Sequence, residues 1–491
     1  MDELMKLNLD TLAHLPDGIR RPAYQRGDLT AGIVHIGLGN FHRAHQAWYL
    51  HRLMNDGAAL DWAIIGAGVR PADAAQREKL LAQDCLSTLI ELDPSGISAE
   101  VTGSMIGFVP IAADNAPLIA QMADPAIRIV ALTVTEGGYY QSSNGGFDSD
   151  HPDIQHDAAN PDKPKTAFGA MIAALGARRA ANHGPFTCQS CDNLQGNGDI
   201  LRQTIMGLAT LIDPDLAAWI DGNVTFPNAM VDCIAPATGP AELAMAKSFG
   251  IEDAAPVTHE NFRQWVIEDK FCAGRPDWDK AGATFTQDVH AFEAMKLRLL
   301  NAGHQIIATP GELMSIDTIA GTMANPLIRA LFRKIEVEEI VPHVAAVPVM
   351  TPLDYVDLVE RRFANPEIRD TTRRVAFDGS SRHAGFLHPI IRDGLATGGP
   401  IEGLALVEAL WARMCEGTRE DGSEIVANDP FWETLVKAAK AAKGNPQAWI
   451  AQQPFYGDLG DNPRFAASFA RWHQLIQRDG TAAALGAYLA G

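Results

Sequence analysis

IVHIGLGNFHRAHQ, residues 33–46, is the stretch that decides the fold, because an apolar run leads directly into Gly37-x-Gly39 and a helical pattern follows. In a dinucleotide-binding turn the first glycine allows a tight bend, and the second lets backbone N–H groups approach a pyrophosphate. The third glycine of that pattern is replaced here by His42. Because Gly-x-Gly also occurs in strand-to-helix bends that bind nothing, a cofactor turn and a plain bend both remain open.

The end of the next apolar run bears on the choice of cofactor. In a dinucleotide site this position carries an acid for a ribose hydroxyl or a cation for a phosphate. The sequence GAGVRPAD, residues 66–73, offers Arg70 and then Asp73, so the acid is displaced from its usual place. From these residues alone, NAD and NADP both remain open.

The N-terminal part of the chain alternates short apolar runs with amphipathic segments, which predicts a parallel sheet with crossover helices. The strands are predicted at residues 32–36, 62–66, 87–92, 127–133, 185–190, 229–232 and 264–267, and the helices at 41–53, 72–82, 167–181 and 198–220. A polar stretch at 141–165 interrupts the alternation and is predicted to be a loop, either a lid over a site or a disordered segment.

From about residue 289 onward, helical periodicity dominates and strand signals nearly vanish. Helices are predicted at residues 291–308, 326–332, 352–364, 403–414, 431–442 and 464–490. The sequence therefore predicts an α/β domain over residues 1–287, followed by a mostly α-helical domain over residues 288–491.

Composition excludes several classes of partner. The formal charge of −20 disfavours nucleic acid and anionic lipid, and no basic patch offsets it. An acidic N-terminus and the lack of a long apolar run predict a cytoplasmic protein without a membrane segment. Cys188 and Cys191 form a Cys-x-x-Cys, but no second Cys or His pair accompanies it, so we interpret both as buried thiols and predict no metal.

The most informative segment for chemistry is EAMKLRLLNAGH, residues 293–304. At about 100° per residue, with Glu293 at zero, Lys296 falls near 300°, Asn301 near 80° and His304 near 20°. Four polar side chains thus share one face of a predicted helix, within an arc of about 140°. A hydrogen-bonded helix at a domain boundary and a catalytic face both explain this pattern.

The catalytic interpretation is alcohol oxidation without a metal. A hydride leaves carbon for a nicotinamide, the hydroxyl proton goes to a base, and the developing oxyanion needs hydrogen-bond donors. A lysine serves as the base when burial and nearby cations lower its pKa from about 10.4 towards 7 or 8. The Tyr-x-x-x-Lys pattern of short-chain dehydrogenases is absent from the sequence, and the Cys and His ligands of zinc enzymes do not precede the glycine turn.

Five segments in order resemble the long-chain polyol dehydrogenases, the mannitol 2-dehydrogenase family. The resemblance spans residues 37–388, and its Lys-x-x-x-x-Asn-x-x-His run is specific to that family. It implies a Rossmann-type N-terminal domain and a mostly helical C-terminal domain. The segments are GLGNFHRAHQ (37–46), TVTEGGYY (133–140), CDNLQGNG (191–198), WVIEDKFCAGRPDW (265–278) and KLRLLNAGHQ (296–305).

The resemblance also implies residue roles. Lys296 is the expected general base, Asn193 and Asn301 the expected oxyanion hole, and His304 the residue that positions substrate. In this family Gly-x-Gly-x-Phe-His-Arg is the cofactor turn, so no third glycine is expected. The remaining substrate residues implied are Asp232, Glu293, Arg374 and Arg382, where lysine is common at the last, and the cofactor residues are Gly37, Gly39, Asn40, Phe41, Arg70 and Glu136.

The resemblance leads us to expect an NAD-dependent enzyme, with NADP as the alternative cofactor, that interconverts an alditol such as mannitol, D-arabinitol or sorbitol with its 2-ketose. The expected state is a monomer. Hexuronate reductases of the same superfamily, acting on fructuronate or tagaturonate, are the alternative. They generally show TEKGY-like sequence where this chain has TEGGY, residues 135–139, which favours uncharged polyols. A cofactor sensor without chemistry is a third hypothesis, and the intact Lys296, Asn301 and His304 disfavour it.

Overall fold

The computed structural model describes residues 4–142 and 145–491. The chain divides into two compact units, Met1–His290 (unit 1) and Ala291–Gly491 (unit 2). The domain assignment to residues 1–287 and 288–491 stays a prediction. Along the described residues, no helix is both long enough and apolar enough to cross a membrane.

Unit 1 is built on a five-stranded parallel sheet, whose strands in spatial order are β6 (Met105–Phe108), β3 (Ala63–Ala67), β2 (Ala31–Ile36), β7 (Ile129–Leu132) and β8 (Thr187–Ser190). The strand that leads into the glycine turn, β2, is central. The chain places β3 and β6 on one side of β2 and then β7 and β8 on the other side, so the direction in which strands are added reverses at β2. This order is that of a dinucleotide-binding fold, in which ligands bind at the carboxyl ends of the strands. The strands of the unit are β1 (Met5–Lys6), β2 (Ala31–Ile36), β3 (Ala63–Ala67), β4 (Ser87–Asp93), β5 (Gly96–Thr102), β6 (Met105–Phe108), β7 (Ile129–Leu132), β8 (Thr187–Ser190), β9 (Ala229–Asp232), β10 (Ile251–Glu252), β11 (Val257–Glu260), β12 (Gln264–Glu268) and β13 (Thr284–Thr286).

Both faces of the main sheet are buried, which explains why β2, β3 and β7 read as largely apolar runs rather than alternating ones, whereas β8 is buried but mostly polar (TCQS). On one face Val34 and Ile36 of β2 join the core that contains Phe168. On the other face Ile33 packs in the core that contains Trp265. The two faces follow the two-residue period of a strand.

Two predicted features of the sheet are wrong. The segment 87–92 does not continue the parallel sheet, because β4 pairs antiparallel with β5 and parallel with β11 in a separate sheet. The two-residue connection between β4 and β5 favours this local hairpin, with Ser95 donating to the Asp93 carboxylate. The strands β9 and β12 also pair antiparallel, in a third sheet with β13.

The helices of unit 1 lie mostly where expected, but two are interrupted. The predicted helix 41–53 breaks at His45, which has a non-helical backbone, and the predicted helix 198–220 breaks at Pro214, where Asp213 caps the next helix. The helices are α1 (Leu9–Leu12), α2 (Asn40–Ala44), α3 (Gln46–Asn55), α4 (Asp73–Leu81), α5 (Ala116–Ala123), α6 (Pro152–Ala159), α7 (Ala167–Ala180), α8 (Asn197–Ile212), α9 (Pro214–Asn223) and α10 (Pro240–Ser248).

The polar stretch 141–165 is not a structureless loop. It contains α6, which packs on α8 and buries Ile154 and Asp157. The Asp157 carboxylate accepts hydrogen bonds from the N–H groups of Lys165 and Thr166, so it fixes the end of the stretch. The prediction missed this helix because its apolar face is short, and residues 143–144 lie outside the described part of the chain.

Unit 2 is helical, and its described residues contain no strand. The predicted helix 464–490 is two helices, because Gly480 adopts a positive φ of 85° that ends the first. The helices are α11 (His290–Met295), which begins at the boundary, α12 (Ala302–Leu313), α13 (Ile319–Ala324), α14 (Pro326–Ile335), α15 (Pro352–Phe363), α16 (Thr372–Val375), α17 (Gly379–Arg382), α18 (His388–Thr397), α19 (Glu402–Met414), α20 (Trp432–Ala442), α21 (Gln447–Ile450), α22 (Gln453–Tyr456), α23 (Pro463–Asp479) and α24 (Thr481–Ala490).

Three π-helical turns distinguish unit 2. They are Lys296–Asn301, Glu336–Ile340 and His383–Leu387, and the first packs against the other two. A π turn closes hydrogen bonds between residues five apart rather than four and is found frequently at functional sites. The predicted single helix 291–308 is therefore α11, a π turn and α12 in succession.

Candidate functional site

The glycine turn of unit 1 depends on Gly37. Its φ of 89° is left-handed, and a Cβ at this position would lie 2.0 Å from the carbonyl oxygen of Thr133. The Thr133 hydroxyl donates to the Gly37 carbonyl over 3.0 Å, and His35 Nδ1 lies 2.9 Å from the same oxygen. Only glycine fits this close approach of β2 and the segment after β7.

His42 stands at the position of the missing third glycine and packs on His35. The two rings stack with centroids 3.5 Å apart, and both side chains are buried. Burial lowers the pKa of His35 to about 3 and that of His42 well below its usual value, so both rings are neutral near pH 7. An uncharged stacked pair replaces the close helix-to-strand contact that a glycine gives in other dinucleotide turns.

Beside this turn lies a cavity of about 220 Å³. A Cβ added at Gly39 would meet no atom within 4 Å, so the space above this residue is open. Asp73 lines the cavity, and its carboxylate accepts hydrogen bonds from the N–H groups of Val69 and Arg70. The lining residues are Leu38, Gly39, Asn40, Ala67, Asp73 and Gln76.

The Asn40 side chain ties the glycine turn to its surroundings. Its amide donates to the Pro236 carbonyl over 2.5 Å and to the Thr238 hydroxyl over 2.9 Å, while its oxygen accepts from Arg43. These bonds engage both the nitrogen and the oxygen of the Asn40 side-chain amide. Phe41 stacks on His45, and the guanidinium of Arg70 is exposed.

Asn193 is exposed and lies in a segment of unit 1 that buried side chains hold in place. The Asp192 carboxylate accepts from the N–H groups of Val134 and Thr135 and from the Tyr139 hydroxyl, so it orients the turn after β7. Burial and the adjacent Asp192 raise the pKa of Tyr139 well above its usual value, which keeps this hydroxyl a donor.

Asn197, which the sequence did not single out, links the Asn193 segment to β9. Its amide donates to the carbonyls of Asp192 and Ala229, and its oxygen accepts from the Ala229 N–H. Asp232 is the last residue of β9 and is buried. The bonds of Asn197 thus connect the backbone segments that carry Asn193 and Asp232.

In unit 2 the π turn changes the predicted geometry of the polar face. Lys296 and Asn301 begin and end this turn, and Lys296 is buried. In a regular α-helix residues five apart are separated by about 140° around the axis, whereas the i→i+5 pattern brings them to the same side. Lys296 and Asn301 are therefore closer in angle than the sequence predicted, while Glu293 is buried one turn earlier on α11.

His304 lies on α12 with its ring stacked on Phe363, the two centroids 4.2 Å apart. Its Nε2 is buried and has no hydrogen-bond partner among the described residues. Burial lowers the pKa of His304 to about 3, and the negative charge of Asp370 opposes this shift. The ring is thus neutral near pH 7 and has an unsatisfied nitrogen.

The helix that carries His304, α12, packs against α16, which carries Arg374, so unit 2 places these predicted residues on neighbouring elements. The Arg374 guanidinium donates through Nε and Nη2 to the two oxygens of Asp370. Arg382 is half-buried and donates through Nη1 to the Val375 carbonyl over 2.6 Å. The sequence missed Asp370, although its spacing of four residues before Arg374 is visible.

Two remaining predictions concern Glu136 and the cysteines. The side chain of Glu136 lies outside the described part of the chain. Cys188 and Cys191 are buried free thiols with raised pKa values, which confirms the interpretation as buried thiols. Within residues 4–142 and 145–491, no group of three or more His, Cys, Asp or Glu side chains is placed to hold a metal ion.

Glu336, at the start of the second π turn, is buried with neither carboxylate oxygen hydrogen-bonded to a described residue. Burial raises its pKa well above the usual value. The folded state therefore loses stability as the pH rises above about 4.3, the ordinary pKa of Glu. We expect Glu336→Met to raise the free energy of unfolding at pH 8 by about 1–3 kcal/mol, with a smaller gain at pH 4.5.

Urea unfolding of the two proteins at both pH values measures this effect. Glu338→Met, in the same π turn but exposed, is the matched control and should change little. A Glu336→Met variant that is less stable than the parent at pH 8 would show that the carboxyl has a stabilising partner.

The parallel sheet, the glycine turn and the cavity at the ends of its strands place the chain in the class of Rossmann-type dinucleotide-binding proteins with a helical second unit. The family model for the mannitol dehydrogenase Rossmann domain matches residues 31–280, and the model for the mannitol dehydrogenase C-terminal domain matches residues 288–477. The chain belongs to the mannitol dehydrogenase family of oxidoreductases.

Individual relatives agree with this membership. The chain is 56% identical over 472 residues to a mannitol 2-dehydrogenase of Cereibacter sphaeroides, covering 96% of this chain and 99% of the relative. A Pseudomonas fluorescens mannitol 2-dehydrogenase, solved as a ternary complex with NAD and D-mannitol, has 42% identity and a TM-score of 0.84, covering 99% and 100%. A D-sorbitol dehydrogenase structure has 33% identity and a TM-score of 0.93, covering 98% and 100%.

Proposed function

We propose that the chain is an NAD-dependent, metal-independent polyol 2-dehydrogenase that interconverts an alditol, such as mannitol, D-arabinitol or sorbitol, with its 2-ketose. The observation that carries the proposal is the π turn that brings Lys296 and Asn301 to one side of a helix in unit 2. The complex of the Pseudomonas fluorescens relative with NAD and D-mannitol supports the choice of cofactor and substrate class.

Lys296 is the proposed general base. As a neutral amine, its Nζ would accept the proton of the C2 hydroxyl while the C2–H bond breaks and the hydride passes to the nicotinamide. In the reverse direction the same ammonium returns the proton to the ketose oxygen. Its burial excludes water from the proton transfer, and Glu293, one turn earlier, is the proposed route by which the proton leaves.

The side-chain amides of Asn193 and Asn301 are proposed to donate to the oxygen at C2 as negative charge develops there. An amide donates without itself taking the proton, so it does not compete with the lysine. Because this charge is greatest in the transition state, these donors act on turnover more than on binding.

The substrate is held by residues whose charge states suit hydroxyl groups. The neutral His304 has an unsatisfied Nε2, and Arg374 and Arg382 are donors of the same cluster. Asp232 is proposed to accept a substrate hydroxyl from unit 1. An alditol, which offers a donor and an acceptor at every carbon, satisfies such a mixed set.

NAD, when bound, supplies the hydride acceptor. The open space above Gly39 fits a close approach to the backbone of the turn, and the carboxylate of Asp73 lines the same cavity as a candidate acceptor for a ribose hydroxyl. Gly37, Asn40 and Phe41 shape the turn. Arg70 and Glu136 stay predicted cofactor residues. The monomeric state and the cytoplasmic location of the enzyme also stay predictions.

The test is nicotinamide absorbance with purified protein, chelator, NAD or NADP, and each of mannitol, sorbitol, D-arabinitol and xylitol. The reverse direction is followed with fructose and with fructuronate. A chelator-resistant rate with an uncharged polyol supports the proposal, and a rate with fructuronate alone moves the protein to the hexuronate reductases. No rate with any pair, despite measurable NADH binding, favours the cofactor sensor.

A further inference from the structure

The ion pair between Asp370 and Arg374, two residues of unit 2, joins a buried negative charge to an exposed positive charge. The Arg374 guanidinium donates from Nε to Asp370 Oδ1 and from Nη2 to Asp370 Oδ2, each over 2.5 Å. The side chain of Arg374 is 62% exposed, whereas that of Asp370 is only 6% exposed. A buried carboxylate therefore holds a guanidinium that faces solvent.

The backbone around Asp370 is rigidly attached to the rest of unit 2. Its carbonyl accepts from the Ile319 N–H over 2.9 Å, and the next residue, Thr371, caps α16 by accepting from the Arg374 N–H. Thr372 donates through its hydroxyl to the Ile316 carbonyl. These bonds hold the backbone of Asp370 and Arg374 in place, and the burial of the Asp370 side chain limits where its carboxylate can turn.

This arrangement has a consequence for what Arg374 binds. The Nε and Nη2 edge is one that a guanidinium uses to bind a carboxylate bidentately, and Asp370 already occupies it. The end-on edge of Arg374, formed by Nη1 and the second N–H of Nη2, stays open to a substrate, but the carboxylate of Asp370 offsets the positive charge that an anion would meet there. Arg382 is engaged through Nη1 with a backbone carbonyl, and His304 is uncharged near pH 7.

We propose that Asp370 is a specificity-determining residue, which occupies the side-on Nε and Nη2 edge of Arg374 and offsets its charge, so that the enzyme selects uncharged polyols and ketoses over anionic hexuronates. The inference rests on the proposed function and concerns the same site. Asp370 acts through Arg374 and is a positioning residue, since nothing requires it to touch the substrate.

The experiment compares Asp370→Asn with the parent enzyme, with kcat and KM measured for reduction of fructose and of fructuronate by NADH. Glu367→Gln is the matched control, because it removes one negative charge from an exposed position on the same segment. For Asp370→Asn we expect the ratio of kcat/KM for fructuronate to that for fructose to rise about tenfold or more, with a higher KM for fructose. Glu367→Gln should leave the ratio unchanged.

The outcomes separate a selective role from a structural one. A variant that merely loses its structure loses rate with both substrates, so the ratio stays constant, and this result would overturn the inference. Inhibition of fructose reduction by gluconate gives a second readout, and it should strengthen in Asp370→Asn but not in the control. If the parent enzyme reduces neither substrate, the proposed function fails. The role of Asp370 is then tested separately, by calorimetry of gluconate binding. An affinity for gluconate that is the same in the parent and in Asp370→Asn would overturn that role.

Discussion

Replacement of Lys296 by Met should lower the rate of alditol oxidation by about a thousandfold or more, because a positioned general base contributes factors of this order. Met fills much of the space of the buried lysine stem but has no amine, so packing in the π turn is largely kept. Lys296→Ala should lose a similar amount of turnover. The measurement is kcat at saturating polyol and NAD.

The same variants should bind NADH as the parent does, which fluorescence titration of the nicotinamide measures. The glycine turn and its cavity belong to unit 1 and need no group from Lys296. Lys437→Ala, an exposed lysine on α20, is the control for loss of a positive charge in unit 2. Near-normal turnover in Lys296→Met would show that Lys296 is not the general base.

Asn193→Ala and Asn301→Ala should each reduce kcat by about a hundredfold, the effect of removing one oxyanion donor. KM should change much less, because the donors act on charge that develops after the substrate has bound. Replacement by Asp keeps the shape but places a negative charge beside the developing oxyanion. We therefore expect Asn301→Asp to be slower than Asn301→Ala.

Steady-state kinetics in both directions measure these effects. Asn223→Asp, at an exposed position at the end of α9, is the matched control for the change of amide to acid. Should Asn193→Ala or Asn301→Ala retain the parent kcat, that residue would not belong to the oxyanion hole. A rise in KM at constant kcat would instead assign it to substrate binding.

Much of the fold could be predicted because it is written in local patterns. The apolar runs at β2, β3 and β7 lie within two residues of their predicted bounds, since strands buried on both faces tend to be continuously apolar. The hairpin of β4 and β5 could not be assigned to its own sheet in this way. A strand pattern indicates that a segment is extended, but it does not indicate which other strand the segment pairs with.

The candidate site shows the same division. Lys296, Asn301 and His304 were recognisable by type and order, because the chemistry needs a base and neutral donors on one helix face. Their angular relation was not, because a π turn inserts a residue into a helix without a sequence signature of its own, and long-range packing stabilises it.

The sequence by itself determined the alternation of strands and helices in unit 1, the glycine turn at Gly37 and the helical nature of unit 2. It also determined the chemical types of the residues that the proposed reaction needs. These features follow from hydrogen bonds and side-chain periods that span a few residues. Only the tertiary structure decided that His42 stacks on His35 and that Asp370 holds Arg374. Such contacts depend on burial and on the approach of backbone segments, which the order of residues along the chain does not reveal.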